Sequence, residues 1–235
     1  MIIYGRNPVR EAIRGPRTVH RVWATKNVAG EPWLKGGGWQ VTEASAHEVE
    51  QRAQSPSHQG VCAEVSPFRY ADADALLALP EPLIVALDQV QDPQNLGAVC
   101  RSAECAGAAG VVMPERRSAE VTAAVCKASA GAVEHLPVAR VRNLTDFLIA
   151  AKSAGLWCYG ADAAAATSYD ALDYGGGVVL ALGSEGQGLR PRVAGACDAL
   201  VSLPMRGRIE SLSVCAAAAV MLYEAASHRA PAPRP

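Results

Sequence analysis

From Leu83 onward the chain alternates short apolar runs with segments of helical spacing, and that alternation constrains its fold more than any other feature. Leu83 to Leu87 is a continuous apolar run of the kind that forms strands buried on both faces, and Leu96 to Ala106 has helical periodicity. Val111 to Met113 reads as a strand, Ala119 to Ser129 as a helix, Leu136 to Val141 as a strand, and Asn143 to Ser153 as a helix capped by its asparagine. Leu156 to Gly160, Val178 to Leu182 and Ala199 to Leu203 give three further strands, and a long closing helix runs from about Ser211 to Ala226. Strands alternating with helices predict an α/β domain with a mostly parallel sheet covered on both faces.

Ahead of this domain lies a smaller α/β unit. Asn7-Pro8 reads as a cap followed by a proline at the first helical position, Val19 to Ala24 and Val61 to Val65 as strands, and Thr42 to Ala53 as a helix. Gly36-Gly37-Gly38 is a flexible loop within it. Ser66-Pro67-Phe68, an acidic Ala-rich stretch and Pro80-Glu81-Pro82 follow, which predicts a first domain over 1–66, a linker over 67–82 with room for one short helix, and a second domain over 83–235. The proline-rich tail from His228 to Pro235 is expected to fray.

Composition narrows the function classes. Half of the 235 residues are apolar and 19% are charged, which excludes wholesale disorder. The longest apolar run, Val214 to Tyr223, is shorter than the ~18 residues a membrane span requires. Arg6, Arg10 and Glu11 stand where a signal peptide needs an apolar stretch, so a cytoplasmic protein is expected. Seven cysteines without a C-x-x-C pair and five histidines without zinc spacing predict small buried thiols, no metal and no disulfide. The formal charge of −1 argues against a strongly basic nucleic-acid binder, yet it conceals an asymmetry. Residues 1–26 carry Arg6, Arg10, Arg14, Arg17, Arg21 and Lys26 against the single acid Glu11. Spacing of four aligns Arg6, Arg10 and Arg14 on one helix face, which is either a solvated stripe or a phosphate-binding one.

In parallel sheets ligands bind beyond the carboxyl ends of the strands, which directs attention to the loops leaving Leu87, Leu182 and Leu203. The first leads into Asn95-Leu96-Gly97-Ala98 and then Arg101; Asn95 suits a helix cap, and Arg101 lies in a small, apolar segment where a guanidinium needs a partner. That partner is a structural carboxylate or a phosphate or carboxylate of a ligand. The second loop, Leu182-Gly183-Ser184-Glu185-Gly186-Gln187-Gly188-Leu189, permits close backbone approach to a ligand but matches neither the dinucleotide nor the P-loop pattern. Glu185 either orients a ligand hydroxyl or sits at an exposed rim. The third, Leu203-Pro204-Met205-Arg206-Gly207-Arg208-Ile209-Glu210-Ser211-Leu212-Ser213, places a cationic loop before a helix whose opening serines are ordinarily caps.

Together these three segments resemble the ordered motifs of the SpoU-type (TrmH-like) RNA ribose 2′-O-methyltransferases of the SPOUT superfamily. Tyr4-Gly5-Arg6-Asn7-Pro8-Val9, His58-Gln59-Gly60-Val61, Lys127-Ala128-Ser129-Ala130-Gly131-Ala132 and Arg142-Asn143-Leu144 extend the resemblance to the branch that modifies a guanosine of large-subunit (23S) ribosomal RNA. The resemblance implies a carboxyl-terminal domain with a deep trefoil knot, an amino-terminal unit similar to RNA-binding ribosomal proteins, a homodimer, and S-adenosylmethionine as cofactor. Carried over by motif, Leu182, Gly183, Leu203, Met205, Ser211 and Leu212 contact the cofactor. Arg101 is catalytic, Asn95, Glu185 and Ser211 support it, and Arg6, Arg10 and Arg14 contact ribosomal RNA. Ser213 stands where the family has asparagine and keeps one donor and acceptor without the amide's reach. A transfer-RNA ribose methyltransferase, a resistance-type ribosomal-RNA enzyme and a non-catalytic RNA-binding assembly factor are the competing readings.

Overall fold

A computed structural model describes residues 1–229; the remainder of the tail expected to fray lies outside the described residues. The chain begins with strand β1 (Ile2–Tyr4), helix α1 (Arg6–Arg14), strand β2 (Val19–Ala24), helix α2 (Lys26–Ala29), strand β3 (Gln40–Glu43), helix α3 (Ala46–Ala53) and strand β4 (Val61–Val65). The four strands form one sheet in the order β1-β4-β2-β3, with only the β2–β3 pair parallel. Two local expectations shift. Helix α1 starts at Arg6 with Gly5 as its cap at φ +98°, and the Gln59 side chain accepts the Arg6 N–H at 3.1 Å, so Asn7 and Pro8 lie inside the first turn. Thr42 belongs to β3, because the helix begins at a capping box in which Ser45 and Glu48 satisfy each other's backbone N–H.

The stretch expected as a linker packs along the second domain. Helix α4 (Ala73–Leu77) is capped by Asp72, and the Ala71 N–H donates to the Val138 carbonyl at 2.8 Å. Then follow β5 (Leu83–Asp88), α5 (Pro93–Cys105), β6 (Gly110–Pro114), α6 (Ala123–Ala128), β7 (Val138–Val141), α7 (Leu144–Ser153), β8 (Trp157–Ala161), β9 (Thr167–Ser168), β10 (Val178–Gly183), α8 (Pro191–Ala194), β11 (Ala199–Ser202) and α9 (Val214–Ser227). These seven strands pair entirely in parallel, in the order β7-β6-β5-β10-β8-β11-β9. The central strands explain the unbroken apolar runs. Leu83, Val85 and Leu87 face one core layer, while Ile84 and Ala86 face the other; β10 divides likewise into Val178, Leu180 and Leu182 against Val179 and Ala181.

Helix α6 is shorter than the expected Ala119–Ser129. The Ala119 N–H donates to Val90 and the Val121 N–H to the Tyr70 hydroxyl, which hold this approach extended. Gly97 lets α5 and α6 touch, since a Cβ there stands 2.4 Å from that of Ala128. The closing helix begins later than expected, at Val214, with Ser213 as its cap. Burial pushes the Cys100 and Cys158 thiols up to about 12 and those of Cys62, Cys126 and Cys197 to about 11. Cys62, Cys100, Cys126 and Cys158 are the small core residues expected, whereas Cys197 and Cys215 are half-buried and Cys105, in the last turn of α5, is exposed.

An ion pair joins the two units. Arg17 of the first domain donates Nε–H to Glu134 Oε2 at 2.9 Å, and the side chains are 7% and 0% exposed. A lone carboxylate there is costly, so each partner requires the other. Arg17→Ala is expected to lower the unfolding free energy by about 3 kcal/mol or more, and Arg17→Met combined with Glu134→Leu by much less. Denaturant unfolding of the single and double variants checks this.

Candidate active site at the carboxyl edge of the parallel sheet

The pairing of β5 with β10 sets Leu87 beside Leu182 and Asp88 beside Gly183, so the first and second motif loops leave the sheet together. Asp88 is 1% exposed and accepts from the backbone N–H of Arg190 at 2.9 Å and from its Nε at 2.8 Å, with Nη2 at 2.7 Å. This carboxylate ties the far end of the glycine-rich loop to the end of β5. Inside the loop, Ser184 pairs with Gly188, and a Cβ on Gly183 stands 1.9 Å from the Gly188 carbonyl carbon, which leaves room for glycine alone. Sequence reasoning missed Asp88 and Arg190. The available signal was an acid closing an otherwise apolar strand, which needs a cation or backbone donors when buried.

A cavity of about 580 Å³ opens between this loop, the end of β8 and the segment running from β11 into α9. Leu182, Gly183, Leu203, Met205, Ser211 and Leu212, the residues expected to hold a cofactor, all line it, together with Glu185 and Ser213. Its size lies within the range of small-molecule sites, ~300–1,000 Å³. Leu182 and Val201 supply buried apolar floor, Gly183, Gly186 and Gly188 supply wall without side chains, and Met205 and Leu212 stand half-exposed at the mouth. This combination of main-chain donors and acceptors with apolar surface fits a ligand that joins a flat ring system to a polar chain. Asp162, after β8, and Glu210 add two carboxylates that the sequence did not single out.

Asn95 and Glu185 meet: Asn95 Nδ2 donates to Glu185 Oε1 at 3.2 Å, across a smaller recess of about 260 Å³ beside the cavity. Asn95 does not cap α5; Asp92 does, accepting the Gln94 N–H at 2.9 Å, so the amide is free to face the loop. Ser213 Oγ caps α9 by accepting the Ala216 N–H at 3.3 Å and lies 3.1 Å from Cys215 Sγ, so its hydroxyl is engaged by its own helix. Arg101 lines neither recess. It is exposed on α5, and among the described residues no carboxylate lies within 4.0 Å of it, so the structure supplies no internal partner for this guanidinium.

The arginines of α1 each reach an acid yet remain exposed at the surface, where such pairs hold them only weakly. Arg10 Nε and Arg14 Nη1 reach Glu11 Oε1 at 3.0 and 3.3 Å, and Arg6 stands 3.4 Å from Glu31. Burial raises the Glu11 carboxyl, but hydrogen bonds from His135 and Arg10 and the charges of Arg14 and Arg10 outweigh it and hold the group below its ordinary range. Among the described residues no cluster of three or more metal-ligating side chains forms, and no helix is long and apolar enough to cross a membrane.

Residues 82–223 match the model of the SpoU rRNA Methylase family, and residues 2–71 match that of the RNA 2′-O ribose methyltransferase substrate-binding family. An uncharacterized tRNA/rRNA methyltransferase of Mycolicibacterium vanbaalenii is 40% identical across 97% of this chain and 76% of its own length. The chain spans 61% of the length of a related Synechocystis sp. tRNA/rRNA methyltransferase, also uncharacterized. The crystal structure of an rRNA methyltransferase from Sinorhizobium meliloti with bound AdoMet superposes with a TM-score of 0.81 at 28% identity, over 98% of this chain and 88% of that one. The A. aeolicus TrmH/SpoU tRNA modifying enzyme superposes with a TM-score of 0.58 at 25% identity, over 67% of this chain and 82% of that one. The fold and these matches define an RNA methyltransferase of the SPOUT class. Within that class the chain belongs to the SpoU/TrmH family.

Asp88→Asn is expected to speed amide exchange at Gly188 and Arg190 and to lower stability by about 1–3 kcal/mol, because the Arg190 N–H and guanidinium lose their charged, buried acceptor. Hydrogen-exchange mass spectrometry of the 184–190 segment measures the first effect.

Proposed function

We propose that this protein transfers a methyl group from S-adenosylmethionine to a ribose 2′-hydroxyl, most specifically that of a guanosine in 23S ribosomal RNA. The observation that carries the reading is the single cavity in which all six cofactor residues assigned by motif converge. The choice of ribosomal over transfer RNA rests on the amino-terminal unit. The Sinorhizobium rRNA methyltransferase matches the chain through that unit, whereas the tRNA-modifying structure matches only 67% of the chain. A first domain over 1–66, a short connection over 67–82 and a catalytic domain over 83–235 accord with this division.

S-adenosylmethionine supplies an electrophilic methyl carbon on a sulfonium, a good leaving group, so activation of the ribose hydroxyl is the protein's main task. In this reading the glycine-walled loop and the 203–213 segment bind the cofactor, with Leu182, Leu203, Met205 and Leu212 against its apolar surface and Gly183 and Ser211 at its polar groups. The knot implied by the resemblance is assigned to these same two segments. Asn95 and Glu185 form a joined pair that orients the ribose at the rim. Arg101 acts as a cation that positions the adjacent phosphate and stabilises negative charge developing on the oxygen. With a reference pKa above ~12 an arginine is a poor base. Ser213, held as a cap, leaves the nucleotide position wider than an asparagine does.

Arg101 lies outside the cavity of its own chain, and α9, which packs on α5, exposes Val220 and Tyr223 (39% and 56%). Both features support a homodimer that uses this face. Arg6, Arg10 and Arg14 are retained as RNA contacts, with Glu11 limiting the charge they present.

Labelled S-adenosylmethionine with unmodified large-subunit ribosomal RNA is expected to yield a 2′-O-methylated guanosine. Methylation of transfer RNA alone overturns the substrate assignment, and RNA binding without cofactor binding overturns the enzyme reading. Arg101→Ala is expected to reduce turnover about 100-fold or more. Its cofactor affinity, measured by calorimetry, stays nearly unchanged.

A further inference from the structure

Beyond the cavity, the carboxyl edge of the sheet carries a second cationic feature. The loop leaving β6 begins Glu115-Arg116-Arg117, and Arg142 leaves β7 beside it, since Pro114 pairs with Val141 and the Glu115 N–H donates to the Val141 carbonyl at 2.9 Å. Arg116, Arg117 and Arg142 are all exposed, and none has a carboxylate within 4.0 Å among the described residues. Their neighbour Arg140 behaves differently: it reaches Glu120 at 3.1 Å, donates to the Glu115 carbonyl and covers the Tyr70 ring at 5.1 Å. Arg140 thus pins the loop and occupies Glu120.

The loop is also joined to the candidate site. The Ala119 N–H donates to Val90, in the Gln89–Asp92 turn that walls the smaller recess with Asn95 and Glu185. Gln89 and Arg117 both adopt φ +60°, a left-handed conformation that non-glycine residues seldom hold without local compensation. From β10 to β7 is three strand steps, roughly 14 Å, which is within reach of phosphates flanking a nucleotide seated at the recess.

We infer that RNA leaving the methyl-transfer site crosses the carboxyl edge of β5, β6 and β7, where Arg116, Arg117 and Arg142 take its backbone phosphates. The inference rests on the RNA-methyltransferase reading above. Exposed arginines without internal partners are matched to phosphate oxygens by their bidentate geometry, and a rigid loop limits the entropy lost on binding.

The test compares the wild type with R116Q/R117Q/R142Q and R116K/R117K/R142K, using in vitro transcripts of large-subunit ribosomal RNA and a transfer-RNA pool side by side. For the glutamine variant, the slope of log affinity against log salt is expected to fall in magnitude by about 2, the value for three single-strand phosphate contacts. The lysine variant retains most of the slope, and cofactor affinity and the thermal midpoint stay at wild-type values in both. A glutamine variant that binds and methylates RNA as the wild type does, with the same salt slope, overturns the inference and leaves the enzyme reading intact. Loss of the slope in the lysine variant together with a lowered midpoint also overturns it, because that pattern reports a structural role. A wild type that methylates no RNA overturns the underlying reading instead.

Discussion

The parallel register of β5 with β10 is the constraint on which the rest of the structure depends. It brings Asp88 beside Gly183, and from that juxtaposition the buried carboxylate reaches Arg190 and closes the glycine-rich loop. The loop then forms one wall of the main cavity, and its Glu185 reaches Asn95 on the helix that follows β5. Because the two strands are buried on both faces, a slip of one residue would exchange the contents of both core layers as well as misalign the site. Stability and site geometry are therefore specified by the same pairing.

Charge is organised on a similar principle of commitment and release. Glu134 engages Arg17 and Asp88 engages Arg190 through buried carboxylates, so these two cations serve the fold, while Glu11 moderates the exposed Arg10 and Arg14. Arg101, Arg116, Arg117 and Arg142 carry no such partner among the described residues, and three of these four lie at the carboxyl edge of the sheet. A near-neutral chain can in this way present local positive surface where a polyanion is to be held and remain balanced elsewhere.

Much of this was legible in the residues. The doubly buried strands were evident because both faces demand apolar side chains, and the cavity wall was evident because glycines at 183, 186 and 188 follow such a strand directly. What escaped depended on contacts distant in sequence. Strand β1 is three residues long and is defined by its pairing with β4, some sixty residues away; β3 is likewise defined by its pairing with β2, and its last two residues, Thr42 and Glu43, fall within the expected helix because they carry no signal of their own against a neighbouring helical pattern. Asn95 looked like a cap since asparagine commonly is one, yet Asp92 stands immediately before the helix proline and takes that role. Arg101 looked in need of a partner because its sequence neighbours are small and apolar, but it projects from the solvent side of the helix they pack.

The closed turn at Gly183 and Gly188 has a consequence for inhibition. A side chain at Gly183 would meet the main chain of the opposite arm, so this part of the wall is made of peptide groups and has almost no freedom to vary. A small molecule that drew its affinity from those peptide groups would confront a target with few escape substitutions, since a change able to repel it would also break the turn. One that relied on the half-exposed Met205 and Leu212 at the mouth would meet side chains that can be exchanged with little cost to the fold.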